Sequence, residues 1–313
     1  MTGSDGSVLV LTSAPGAGVL HSGVLKTVAA ALGTRGSGMR SLDDGVAAEW
    51  LISPEMDVAS EIRAALGSLP IDVNVVAAAH RRKLLLVADM DSTIIQQECI
   101  DEMADMLGLK PKIAAITERA MRGELKFEDA LNERLGLLAG LSESKLQQVF
   151  DRRIVLMPGA KTLLATMRAH GAFTALVSGG FTFFTSRVRA VVGFHVDHSN
   201  VLGLADGKLT GKVAEPIVGR AAKSAALTAL TKSLGLDRAS TMAVGDGAND
   251  IDMLAAAGLG VAFRAKPRTE EAAAAALRHA DLTGLLFLQG YHRSEFIDAT
   301  MPIASSVRGQ FVS

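Results

Sequence analysis

The 313-residue chain has a single cysteine, almost no net charge and no apolar run approaching a membrane-spanning helix. A lone Cys99 excludes an intramolecular disulfide framework and suits a reducing compartment, so the cytoplasm is the expected location. A formal net charge of -1 gives no electrostatic footprint for nucleic acid or an anionic membrane surface. The opening stretch, MTGSDGSVLVLTSAPGAG, lacks the basic segment of a secretion signal and carries Asp5, so it reads as a first strand and turn. Repeats and low-complexity segments are missing too, apart from the alanine-rich EEAAAAALRHA that inflates the 49% hydrophobic fraction. Such a length suits about two globular domains.

Residues 8 to 80 alternate between strand-like and helix-like patterns: VLVLTS, GVLKTVAAALG, GVAAEWLIS, VASEIRAALGSL and DVNVVAAA. This predicts a small α/β domain over 1–80, ending at HRRK, with the remainder over 81–313. The second part opens on a buried strand, LLLVADMD, and then becomes charged and amphipathic from about 96 to 153, with breaks at GLKPK, MRGELK and AGLSES. Strand-like runs resume in AFTALVSGG, ASTMAVGDGAND and LGVAFR, each after a helix, which implies a parallel sheet with right-handed crossovers. The helical stretch is then an insertion after the first strand. Asp206-Gly207 between two short strands predicts a two-residue hairpin turn.

The chemistry collects at strand ends. Asp89 and Asp91 follow the first buried strand and, in an extended chain, point to the same side. Two like charges so close call for a metal, a shared proton or both; alternatively, Asp89 caps a turn and Asp91 starts a helix. Ser178, Gly179 and Gly180 end another strand, and Asp246, Asn249 and Asp250 follow a third within GDGAND. Ligands of parallel sheets bind outside the carboxyl ends of strands, so the three clusters should converge. Four acids in one crevice suit a hard divalent cation, magnesium best, because it takes few carboxylates and completes its shell with water and phosphate oxygens. Ser178 and the backbone N–H groups of Gly179 and Gly180, at what reads as a helix start, can hold a phosphate. Lys223 can add a point charge, with Lys212 and Lys232 as rivals. His195 and His198 have H-x-x-H spacing, but the proposed site already uses oxygen ligands.

The set formed by the D-x-D-S-T segment at 89–93, Ser178, Lys223 and GDGAND resembles the four motifs of the haloacid dehalogenase superfamily of aspartate-nucleophile phosphatases over about residues 84–290. The stretches DMDSTIIQQECIDE, SGGF and DGKLTGKV are similar to those of its phosphoserine phosphatase branch. The resemblance implies a Rossmann-like parallel sheet core with an inserted helical cap, a magnesium ion, and hydrolysis of O-phosphoserine through an aspartyl phosphate, the last step of serine biosynthesis. It makes Asp89 the nucleophile and Asp91 the acid and base. Asp89, Asp246 and the backbone carbonyl of Asp91 become metal ligands, and Asp250 orients metal-bound water. Ser178 and Lys223 hold phosphoryl oxygens, with Asn249 nearby.

Substrate choice is then expected from the cap. Phe127 and Arg134 are seven apart and share a helix face. Arg134 can grip a carboxylate and Glu98 an ammonium, the two charges of an amino acid; Met121 and Phe127 also match the family's substrate-binding positions. The first 80 residues resemble an ACT-like βαββαβ module, which implies amino-acid binding or homodimerisation, and no site residue falls there, so it is expected to be separable from the chemistry. The rivals are a receiver domain, which this chain exceeds about threefold in length, a non-enzymatic amino-acid sensor, and a same-fold phosphatase or phosphotransferase for another small phosphomonoester.

Overall fold

The computed structural model describes residues 6–53 and 58–298, and all but the side chain of Met121 within them. Nothing of the tail beyond 298 falls in that range. The amino-terminal part runs β1 (Ser7–Ser13), α1 (Ser22–Leu32), β2 (Gly36–Asp43), β3 (Ala47–Ile52), α2 (Val58–Leu66) and β4 (Ile71–Ala77). Its sheet has the order β2-β3-β1-β4, with every pair antiparallel. Strand β2 belongs to the expected βαββαβ order but not to the patterns read along the chain: as a largely exposed edge strand with a polar, glycine-containing sequence, GSGMRSLD, it carries little apolar signal. The side chains of β1 alternate as a pleated strand requires. Leu9 and Leu11 pack with Val24, Val28 and Ile62 of the two helices. Val8 and Val10 turn the other way and join the core of the larger part.

That larger part begins with β5 (Leu85–Ala88), followed by the inserted helices α3 (Cys99–Asp105), α4 (Lys110–Met121), α5 (Phe127–Leu137) and α6 (Glu143–Arg153). The main layer resumes with α7 (Ala160–Ala169), β6 (Phe173–Phe181), α8 (Thr182–Val192) and β7 (Val196–Asn200), then the hairpin β8 (Leu202–Ala205) and β9 (Lys208–Val213). It ends with α9 (Arg220–Ser233), β10 (Thr241–Gly245), α10 (Ile251–Ala256), β11 (Leu259–Phe263), α11 (Pro267–Ala272), β12 (Ala275–Leu277) and α12 (Gly284–Leu288). The sheet order is β12-β11-β10-β5-β6-β7, all parallel. After β5 the chain adds strands on one side and later returns to the other, so β5 lies at the switch point where a crevice opens beyond the strand ends. All four residues of β5 are buried, which suits a strand covered on both faces.

The hairpin anchors the inserted helices. Asp206 and Gly207 both have positive φ, the turn expected for an Asp-Gly pair between tightly connected strands. Backbone bonds from Gly140 to Leu209 and from Leu209 to Leu141 tie the hairpin to the α5–α6 connection. No helix among the described residues is long and apolar enough to cross a membrane.

The two parts are joined by buried polar contacts as well as apolar ones. Asn74 of β4 donates to the carbonyl of Ala276 at 2.9 Å and accepts from its N–H at 2.8 Å, continuing the strand pairing with a side chain. The Asp72 carboxylate accepts backbone N–H groups of Arg278, His279 and Ala280. Arg81 donates to the carbonyls of Phe287 and Leu288 at the end of α12 and pairs with buried Glu49. The amino-terminal part therefore holds none of the predicted site residues, yet it covers an apolar face of the part that does. Asp72→Ala should orphan three amides and lower unfolding free energy by about 2–4 kcal/mol, measured by urea denaturation. A change below about 0.5 kcal/mol would mean that the amides find other partners.

Candidate active site

Asp89 is the first residue beyond β5. Its N–H donates to Val244 of the neighbouring strand β10, and its Oδ1 accepts from the N–H of Met90 at 2.8 Å. The same oxygen lies 2.8 Å from Lys223 Nζ. That ammonium also donates to Asp250 Oδ1 at 2.6 Å, so one fully buried lysine bridges two carboxylates. Asp250 Oδ2 accepts from the N–H of Gly247 at 3.0 Å, which engages both of its oxygens. A side chain at Gly245 would overlap the Asp250 carboxylate, so that carboxylate closes directly over the end of β10 only because position 245 is glycine. Lys212 and Lys232 are both exposed, which removes them as rivals.

Strand β5 stops at Ala88, so the alternation expected to carry Asp91 to the side of Asp89 gives way to a turn. Ile94 and Ile95 both donate to the carbonyl of Met90, and Ser92 takes a positive φ of 55°. This turn brings three further groups into place. Thr93 Oγ1 donates to Asp246 Oδ1 at 3.0 Å, Ser92 Oγ donates to Glu98 Oε1 at 2.7 Å, and the N–H of Cys99 donates to Asp91 Oδ1 at 3.2 Å. None of those three roles follows from residue type and spacing alone, although Ser92 and Thr93 lie within the motif.

Gly179 and Gly180 belong to the end of β6, and α8 starts two residues later at Thr182, so they precede the helix rather than forming its first turn. The N–H of Gly180 donates to Ser178 Oγ at 2.8 Å. A methyl group placed on Gly180 would meet Asp91 Oδ2 at 2.9 Å and Ser178 Oγ at 3.0 Å, so Asp91 and the hydroxyl near the end of β6 face one point. Asn249 lies in the short turn Ala248–Asp250 beside Gly247.

Above the strand ends stand the inserted helices. Phe127 opens α5, and its ring lies over Gly179 and Gly219, 3.5 Å and 3.2 Å from where their side chains would begin. Arg134, two turns on, donates to the carbonyl of Ala130 at 3.1 Å. Burial lowers its pKa from the ordinary value, opposed by the charges of Asp101 and Glu98. Met121 closes α4, and its side chain lies outside the described residues. His195 has other partners: its Nδ1 accepts from the N–H of Thr174 at 3.1 Å, and its ring stacks on Phe173.

One ligand oxygen from each of Asp89, Asp246 and Asp250 falls within 4.8 Å of the others. Burial, then the charge of Asp250, pushes the Asp89 carboxyl well above the ordinary range, and Lys223 only partly offsets this. Burial and Glu98 raise Asp91 to about 7. Burial, Asp250 and Glu98 raise Asp246 to about 7. Burial alone would lower the Lys223 pKa, but Asp89 and Asp250 outweigh it and hold the ammonium above its ordinary value. Lys223 pairs with only two of the three clustered carboxylates, which leaves an excess of negative charge that an oxygen-seeking divalent cation would neutralise. Between the ordinary 3.8 and about 7, Asp91 and Asp246 hold protons that the unfolded chain has released. Their contribution to stability therefore falls as pH rises through that window. A divalent cation replacing the proton on Asp246 should raise the melting midpoint more at about pH 8 than at about pH 5, by differential scanning calorimetry with cation or chelator. Equal stabilisation at both values, or more at the lower, would contradict a cation held by these acids.

The sequence profile of the haloacid dehalogenase-like hydrolases matches residues 86–255. A phosphoserine phosphatase of Streptomyces coelicolor is 45% identical over 230 residues, which are 73% of this chain and 56% of that protein. A phosphoserine phosphatase of a Polaromonas species is 43% identical over 209 residues, 65% of this chain and 89% of its own length. The crystal structure of a probable phosphoserine phosphatase from Vibrio cholerae superposes with a TM-score of 0.76 at 34% identity, over 92% of this chain and 88% of that one. The chain spans 53–65% of the length of four curated relatives, the Streptomyces protein among them. Because the profile covers more than half of the chain and contains every acid gathered around Lys223, the chain belongs to the haloacid dehalogenase-like hydrolase family.

Proposed function

We propose that this chain is a magnesium-dependent phosphatase that hydrolyses O-phosphoserine to serine and phosphate through an aspartyl phosphate on Asp89, as the cytoplasmic end of serine biosynthesis. The observation that carries the reading is the buried Lys223 ammonium held against Asp89 Oδ1, beside Asp246 and Asp250. That contact fixes the carboxylate and engages one oxygen, while the other remains to attack phosphorus. As the ester bond breaks, the leaving serine oxygen takes a proton from Asp91. A water then attacks the aspartyl phosphate and gives its proton back to Asp91, releasing phosphate and restoring the Asp89 carboxylate. A carboxyl raised to about 7 suits both transfers near neutral pH. Ser178 Oγ and the N–H of Gly180 supply donors for the phosphoryl oxygens, and Lys223 supplies positive charge.

Magnesium, once held by Asp89, Asp246 and the backbone carbonyl of Asp91, would neutralise negative charge on the phosphate and around the acids. Both Asp250 oxygens are already engaged by Lys223 and Gly247, which favours an orienting role for that residue. The named relatives support phosphoserine as substrate, and so does the cap. Arg134 is a partly buried guanidinium on the same helix as Phe127, and Glu98 stands at the start of α3, held by Ser92. A carboxylate could meet Arg134 and an ammonium could meet Glu98 above the phosphate site.

Phosphate release from a panel of phosphomonoesters, with and without magnesium, tests the reading, and the decisive quantity is a ratio. Removing one partner of a closed charge-assisted contact costs about 2–5 kcal/mol, which is roughly 30-fold to several thousandfold in kcat/KM. Arg134→Ala should lose efficiency in that range on phosphoserine, and Glu98→Gln somewhat less. Neither should greatly affect p-nitrophenyl phosphate, which has no carboxylate or ammonium to lose. Equal losses on both substrates would remove phosphoserine recognition from these residues.

A further inference from the structure

Asn200, the last residue of β7, is only 1% exposed. Its amide is fully engaged. Nδ2 donates to the carbonyls of Gly179 at 2.9 Å and Val218 at 3.2 Å, and Oδ1 accepts from the N–H of Val218 at 2.7 Å. The reverse orientation of the amide would set its oxygen against two carbonyls and its NH2 against an N–H, so the assignment is unique. One side chain thereby joins two loops that are distant in sequence: the end of β6, and the segment that leads into α9.

Each loop carries part of the phosphate-facing machinery. The peptide between Gly179 and Gly180 is trans, so its carbonyl and N–H point in opposite directions. With the carbonyl tied to Asn200, the Gly180 N–H must point towards Ser178 Oγ, the direction in which it is found. Val218 immediately precedes Gly219, whose carbonyl accepts from the N–H of Lys223 in the first turn of α9. Fixing Val218 at both its N–H and its C=O therefore sets where that helix begins, and with it the reach of the lysine. We infer that Asn200 is a positioning residue that holds the Gly180 N–H and the Lys223 ammonium in register around one phosphoryl group. It acts on the phosphate end of any substrate, unlike Arg134 and Glu98.

The inference rests on the phosphatase reading and is tested so that the two can fail separately. Asn200→Asp keeps size and one acceptor but loses both donated bonds; Asn200→Ala loses all three. At a temperature well below each variant's melting midpoint, kcat/KM per folded molecule should fall roughly tenfold to a hundredfold, the scale expected for misplacing a reacting group by about 1 Å. The fall should be equal on phosphoserine and p-nitrophenyl phosphate, and inhibition by orthophosphate should weaken with it. A loss below about threefold with unchanged orthophosphate inhibition would overturn the inference and leave the phosphatase intact. If neither variant folds, the unaltered chain decides. With magnesium present, orthophosphate should shift the amide resonance of 15N-labelled Gly180 and slow its exchange. An unmoved Gly180 amide would show that the N–H does not face the anion. An unaltered chain that hydrolyses no phosphomonoester would sink the phosphatase reading, while the Gly180 titration would still judge the role of Asn200.

Discussion

The active site depends on a charge that has no access to water. Lys223 is fully buried, and an ammonium in that position persists only because Asp89 and Asp250 lie within 2.8 Å and 2.6 Å of it. Desolvation of such a group costs several kcal/mol, so its geometry must be good and its partners fixed. The partners are fixed from three directions. Asp89 is hydrogen-bonded to β10, Asp250 closes over Gly245, and the helix bearing Lys223 starts where Asn200 holds Val218. Loss of any one would leave a buried charge in poor geometry.

Sheet topology makes that arrangement available. Because β5 lies between β10 and β6, the residues after three strands meet at one edge, although about 160 positions separate Asp89 from Asp250 along the chain. The inserted helices leave the sheet at this edge and return to it, which places Phe127 over Gly179 and Gly219, with Glu98 held by Ser92 of the β5 turn and Arg134 within reach of the Glu98 charge. Under the proposed function, labour divides by place: the strand ends would hold the phosphate chemistry and the insertion would read the rest of the substrate.

Much of this was legible in the sequence, and the reason is physical. Buried parallel strands are short apolar runs, so LLLVADMD, ALVSGG and MAVGDGAND announce both a strand and the polar cluster at its end. Asp-Gly at 206–207 marked its hairpin because few other pairs accept two positive φ values. Edge strand β2 was implied only by the βαββαβ resemblance and not by its own pattern, since exposure leaves that pattern polar. The docking of the amino-terminal part was hidden for another reason: Asp72 and Asn74 look like ordinary polar residues of a half-exposed strand until the backbone of 276–280 meets them. Asn200 was equally silent. An asparagine at a strand end usually signals a turn, and its partners lie 21 and 18 residues away on either side.

The central claim is that Asp89, pinned by Lys223, becomes covalently phosphorylated. Acid quenching of the enzyme during turnover of phosphoserine, followed by borohydride reduction and peptide mass spectrometry, tests it most directly, because an aspartyl phosphate is reduced to homoserine whereas a free carboxylate is not. Homoserine at position 89, dependent on substrate and magnesium, is the predicted result. Homoserine at 91 or 246 instead, or none while turnover continues with the trapping verified on an acyl phosphate, would contradict the account.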